Sequence, residues 1–133
     1  MTESGEIRLP DRDNEVYTAE RCFIIELLNT AADPGVSVSR ARVLPGITTR
    51  WHRVRGIAER YLILSGRGRA EVGNDQPREV GPGDVVLIAP DAPQRIANVG
   101  LTDLIFLAIC TPRFRQEAYE DVDPEPLLPE GTH

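Results

Sequence analysis

The chain has 133 residues, 41% of them hydrophobic and 27% charged, which suits one soluble globular domain. Its net charge of −6 argues against a nucleic-acid groove, because phosphate binding depends on surplus positive charge. All 15 basic residues are arginine, so lysine Schiff-base chemistry is excluded.

In chain order, residues 1–15 are polar and charged and read as a loose segment. Phe23 to Leu28 is a predicted strand, and Asp33-Pro34-Gly35 a turn. Val36 to Leu44 is the next strand, ended by Pro45-Gly46. From Thr48 to Val54 the period of two places Arg50, His52 and Val54 on one face and Trp51 and Arg53 on the other. Trp51, pointing away from His52, is expected to pack against an outer flap or a second subunit. After Arg55-Gly56 comes a strand from Glu59 to Leu64, with Glu59, Tyr61 and Ile63 on one face. Ser65-Gly66-Arg67-Gly68 reads as a hairpin signal leading into Arg69 to Val72, and Gly73-Asn74-Asp75 turns the chain again. In Gly81-Pro82-Gly83-Asp84, Pro82 presets φ and Gly83 supplies the positive φ of a type II turn. Val85 to Ile88, Gln94 to Val99 and Leu104 to Cys110 complete the strands, the last apolar on both faces and expected to be buried on both.

Arg113 to Tyr119 suits one or two helical turns, and the acidic, proline-containing stretch from Glu120 to His133 is expected to be mobile. The predicted organisation is an N-terminal extension over 1–20, a β-barrel over 21–112, and a short helical turn with an acidic tail over 113–133. Cys22 and Cys110 border apolar runs and form no CxxC, so both are expected to be reduced, buried thiols. Met1 to Pro10 has no apolar signal core, and the longest apolar run falls far short of the roughly 20 residues of a membrane helix. A cytoplasmic location and no membrane partner are expected. Short strands with Gly/Pro turns point to an all-β sandwich or closed barrel.

Two stretches carry more specific information. Gly46 is followed, after five residues, by His52, then Val54; after four more residues comes Glu59, and after six more Gly66. Further on, Gly83-Asp84 precedes the apolar strand Val85 to Ile88 and the turn Pro90-Asp91-Ala92-Pro93, which leads to Gln94 and, after three residues, Asn98. This pair of patterns resembles the two signatures of the cupin superfamily, over roughly residues 36–112. The resemblance implies a double-stranded β-helix, a small jelly-roll barrel open at one end, and a homodimer. Phe23 to Leu28 is then a candidate strand for pairing with the second chain.

The resemblance also implies a divalent metal (Fe, Mn, Zn or Ni) held by three histidines and a glutamate. Here His52 and Glu59 stand at ligand positions, Gln94 replaces a histidine, and Val54 has no lone pair. An amide oxygen is a weaker ligand than imidazole for such ions. Three readings of the centre stay open: a weak metal site of His52, Glu59 and Gln94; a metal-free acid–base pair of His52 and Glu59; and a buried pair with no turnover. Arg50, on the predicted face of His52, is a candidate clamp for an anionic substrate, and Tyr61 a candidate pocket hydroxyl. Asn98 is expected to be structural. The function implied is that of an isomerase or lyase for a small anionic or oxygen-rich metabolite, or else a non-catalytic small-molecule binding or sensing module without metal.

Overall fold

The protein, seen in a computed structural model that describes residues 5–127, consists of two antiparallel sheets. The strands are β1 (Val16–Tyr17), β2 (Phe23–Leu28), β3 (Ser37–Val43), β4 (His52–Val54), β5 (Ala58–Ser65), β6 (Gly68–Val72), β7 (Arg78–Val80), β8 (Val85–Ile88), β9 (Gln94–Asn98), β10 (Leu104–Thr111) and β11 (Tyr119–Asp121). One sheet has six strands in the order β1-β2-β3-β10-β5-β8, and the other five in the order β11-β4-β9-β6-β7. This is the all-β jelly-roll arrangement expected from the sequence. Among the described residues no helix is long and apolar enough to cross a membrane.

The core follows from alternation. Along β10, Leu104, Phe106, Ala108 and Cys110 are buried, while Ile105, Leu107 and Ile109 are only half-buried. The expectation of burial on both faces therefore fails: among the described residues the outward-facing side chains of β10 stay partly exposed. Leu104, Phe106 and Ala108 of β10 share a core with Ala41 and Val43 of β3, Tyr61 and Ile63 of β5, Val86 and Ile88 of β8, and Ala70 and Ile96 from the opposing sheet, while Cys110 packs in a second cluster with Val54 and Ile57. Each fully buried aliphatic side chain contributes about 1.5–3 kcal/mol relative to exposure.

Turns hold the register. In Gly81-Pro82-Gly83-Asp84, Asp84 N–H donates to the Gly81 carbonyl (3.0 Å) and Gly83 has φ +89°, the expected type II chemistry. The Ser65–Gly68 segment is not a hairpin: β5 pairs with β10 and β8, whereas β6 pairs with β9 and β7, so this turn carries the chain from one sheet to the other. A side chain at Gly66 would lie 2.6 Å from the Asp103 carbonyl oxygen, so the crossing needs glycine for space as well as for its φ of +87°. Asn98 is structural as expected, donating to the Val43 and Thr102 carbonyls and accepting from Gly100 N–H.

Both ends of the chain are tied to the barrel within the described residues. β1 lies on β2, and Glu15 holds Arg42 at 2.7 Å. β1 pairs only with Phe23 and Ile24 of β2, so on that side Ile25 to Leu28 have no strand partner among the described residues. The expected helical turn is a short 3-10 turn over Gln116–Ala118. After it the acidic stretch, expected to be loose, is fastened down. β11 pairs with β4, Arg53 meets Glu120, Asp123 accepts from Trp51 N–H, and Glu125 meets Arg21. Arginines projecting from the barrel neutralise these acids. Trp51 faces outward, with the Arg95 guanidinium 4.6 Å from its ring centroid. Residues 128–133 of the expected tail and residues 1–4 of the extension lie outside the described residues.

Candidate functional site

His52 opens β4, directly opposite Gln94 at the start of β9. It is buried, and its Nδ1 lies 2.9 Å from the Arg50 carbonyl oxygen. A carbonyl only accepts, so Nδ1 carries the proton and, in the neutral ring, Nε2 keeps its lone pair. That lone pair belongs to a side chain lining a cavity of about 610 Å³ between the sheets.

Glu59, Tyr61 and Gln94 converge as the resemblance implies, but they are occupied with one another. Gln94 Nε2 donates to Glu59 Oε1 at 2.5 Å, and the Tyr61 hydroxyl donates to Gln94 Oε1. The Cys110 thiol lies 3.5 Å from Glu59 Oε2. Burial pushes the Tyr61 phenol and the Cys110 thiol up from their ordinary values, with the Glu59 charge adding to both, so both stay protonated as donors. Gln94 thus closes a network beneath the cavity rather than lining it.

The acid beside His52 is one the spacing does not single out. Glu20 Oε2 lies 3.6 Å from His52 Nε2. Glu20 sits on the turn between β1 and β2, shaped by Arg21 at φ +72° and tied to the barrel by Arg50 N–H donating to the Glu20 carbonyl at 3.1 Å. Burial raises the Glu20 carboxyl above its ordinary value; the His52 charge opposes the rise, and Glu59 and Asp121 add to it. A carboxyl 3.6 Å from an imidazole nitrogen forms an acid–base pair between which a proton can pass. The other unanticipated residue is Tyr119 of β11, whose ring stacks on His52 at 5.3 Å between centroids. Neither residue stands in a motif; each reaches the centre only through pairing at one end of the chain.

Arg50 does not line the cavity. Its Nε donates to Asp121 Oδ2 (2.6 Å), and its Nη2 to Asp121 Oδ1 (3.3 Å) and to the Glu125 carbonyl (2.5 Å). The strand begins only at His52, so the parity that placed Arg50 beside it does not extend back to residue 50. The substrate clamp expected of Arg50 is replaced by a fastening for the C-terminal segment.

The expected metal set does not fit this arrangement. The amide oxygen of Gln94 accepts from Tyr61, the Glu59 oxygens take Gln94 and Cys110, and buried Val54 offers no donor atom. Among the described residues no three His, Cys, Asp or Glu side chains are grouped so as to hold a metal ion. The cavity is acidic instead. Asp11, Glu20, Glu26 and Glu59 line it together with aromatic and aliphatic side chains, no arginine lines it, and the chain has no lysine.

Residues 39–110, more than half of the chain, match the cupin domain family. The chain is a cupin. This cupin is 33% identical over 112 residues to an uncharacterized protein of Methanocaldococcus jannaschii, covering 83% of this chain and 89% of that one. Its fold is similar to that of an uncharacterized conserved protein with a double-stranded β-helix domain from Klebsiella pneumoniae, with a TM-score of 0.71 and 19% identity over 87% of this chain and 97% of the other. It is also similar to a predicted oxalate decarboxylase from Thermotoga maritima, with a TM-score of 0.66 and 26% identity over 79% and 93% of the two chains. Glu20 and Tyr119 both lie outside the span of the cupin that the family match covers.

Proposed function

We propose that this cupin is a metal-independent acid–base enzyme, an isomerase or lyase acting on a small, neutral, oxygen-rich molecule. The observation that carries this reading is His52 Nε2, left with its lone pair by the Nδ1 contact to Arg50 and standing 3.6 Å from Glu20 in a cavity wall. In this reading Nε2 removes a proton from carbon next to a carbonyl, and Glu20 in its acid form returns one to the neighbouring oxygen or to a leaving hydroxyl. A lining that holds Asp11, Glu26 and Glu59 and no arginine or lysine favours a neutral ligand over an anionic one. A volume of about 610 Å³ lies within the usual range for small-molecule pockets.

The test is hydrogen exchange without a known substrate. Hydroxyacetone is incubated with the protein in D2O, and loss of its α-proton signals is followed by NMR. Exchange above the buffer rate is expected for the wild type, falling to background in His52→Asn and strongly reduced in Glu20→Gln. Saturable binding without exchange would instead identify a binding module, and neither would remove the reading.

A further inference from the structure

Tyr119 lines the cavity with its polar atom left unpaired. Its hydroxyl is buried and has no hydrogen-bond partner among the described residues. Buried tyrosine hydroxyls ordinarily find a partner. Tyr61, in the same cavity, does so through Gln94. Nor is Tyr119 a loose side chain that happens to point inward. β11 is paired to β4 with Tyr119 opposite Val54 and Asp121 opposite His52. Arg50 grips Asp121, and Val122 N–H donates to the Trp51 carbonyl at 3.0 Å. The phenol ring stacks on the His52 imidazole with 23° between the planes. Burial, with the Glu20 and Asp121 charges, raises the phenol above its ordinary value, so it is a donor at neutral pH.

We propose that the Tyr119 hydroxyl is a ligand-recognition group that donates to an acceptor oxygen, a carbonyl or hydroxyl, of the molecule seated against His52. This rests on the reading of the cavity as a small-molecule site, and adds to it the chemical group recognised and the C-terminal segment that recognises it. The strap over residues 119–125 is then part of the binding site. It fixes the donor beside the imidazole, so that one ligand oxygen is held by Tyr119 while the neighbouring carbon faces Nε2.

The experiment uses the full chain labelled with 3-fluorotyrosine. The three tyrosines give three fluorine resonances, and that of Tyr119 is assigned by its loss in Tyr119→Phe. Hydroxyacetone and cyclohexanone are the probes. A saturable shift of the Tyr119 resonance is expected. The dissociation constant should rise about three- to tenfold in Tyr119→Phe, the usual worth of one neutral hydrogen bond. Tyr17→Phe, on β1, should leave it unchanged. The melting temperature of Tyr119→Phe should equal or exceed that of the wild type, because the substitution removes an unsatisfied buried group. Equal affinity in wild type and Tyr119→Phe overturns the assignment while leaving the cavity reading intact. A clearly lowered melting temperature also overturns it, by showing that the hydroxyl has a structural partner. Absence of saturable binding of either probe to the wild type overturns both.

Discussion

Removing either partner of the Arg50–Asp121 pair should destabilise the protein unequally, and burial sets the order. The Arg50 side chain is 3% exposed, while that of Asp121 is 26% exposed. In Arg50→Met the remaining carboxylate can recover water, so the loss is that of charge-assisted hydrogen bonds partly offset by rehydration, about 2–3 kcal/mol. In Asp121→Asn a guanidinium stays buried with its counter-charge gone, for which breaking a buried pair suggests about 3–5 kcal/mol. The double variant Arg50→Met/Asp121→Asn should be more stable than Asp121→Asn alone, since no unpaired buried charge remains. Urea unfolding measures each difference as a shift of midpoint at constant slope. The pH dependence has a definite sign. Arg50 holds the Asp121 carboxyl below its ordinary value of 3.8. The pair's contribution is therefore complete above that value and is lost as pH falls through the lower folded value. Wild type and Asp121→Asn should converge in strongly acid solution. An Arg50→Met variant as costly as Asp121→Asn, or a difference that persists undiminished in acid, would refute the assignment of this pair as the fastening of the strap.

Glu20→Gln should raise the melting temperature at pH 8 while strongly reducing exchange activity. Burial raises this carboxyl above 4.5, so its ionisation costs stability as pH climbs through the folded value, and the variant's advantage should vanish near pH 4. Gln94→Leu leaves Glu59 Oε1 and the Tyr61 hydroxyl without partners, and should cost about 3–5 kcal/mol in urea unfolding; a near-neutral result would show that the network contributes little. Cys22 and Cys110 are buried, with their thiols pushed well up by desolvation, so neither should react with a disulfide reagent at neutral pH until denaturant is added.

Some of this protein is written in local pattern. Alternation in β3 and β5, the apolar run of β10 and the Pro82-Gly83 turn marked the strands, because a half-buried strand needs period two and a type II turn needs a positive φ. The spacing from Gly46 to Gly66, with Gly83-Asp84 and Asn98, carried the cupin resemblance, and it was that resemblance that implied a barrel with His52, Glu59 and Gln94 at one centre. Other parts were legible only as residue types. Arg50 looked like a neighbour of His52, yet its partner lies 71 residues away, and nothing local in either residue marks that contact.

Local pattern determined the all-β class, and the resemblance carried by two short motifs implied the barrel and the convergence on His52. Tertiary structure decided which groups are left free to act. A side chain's chemistry depends on what else satisfies it, and those partners come from strands distant in sequence. Tyr61 and Cys110 absorb the amide of Gln94 and the carboxylate of Glu59. The turn before β2 supplies Glu20, and β11 supplies a hydroxyl that the fold leaves unpaired.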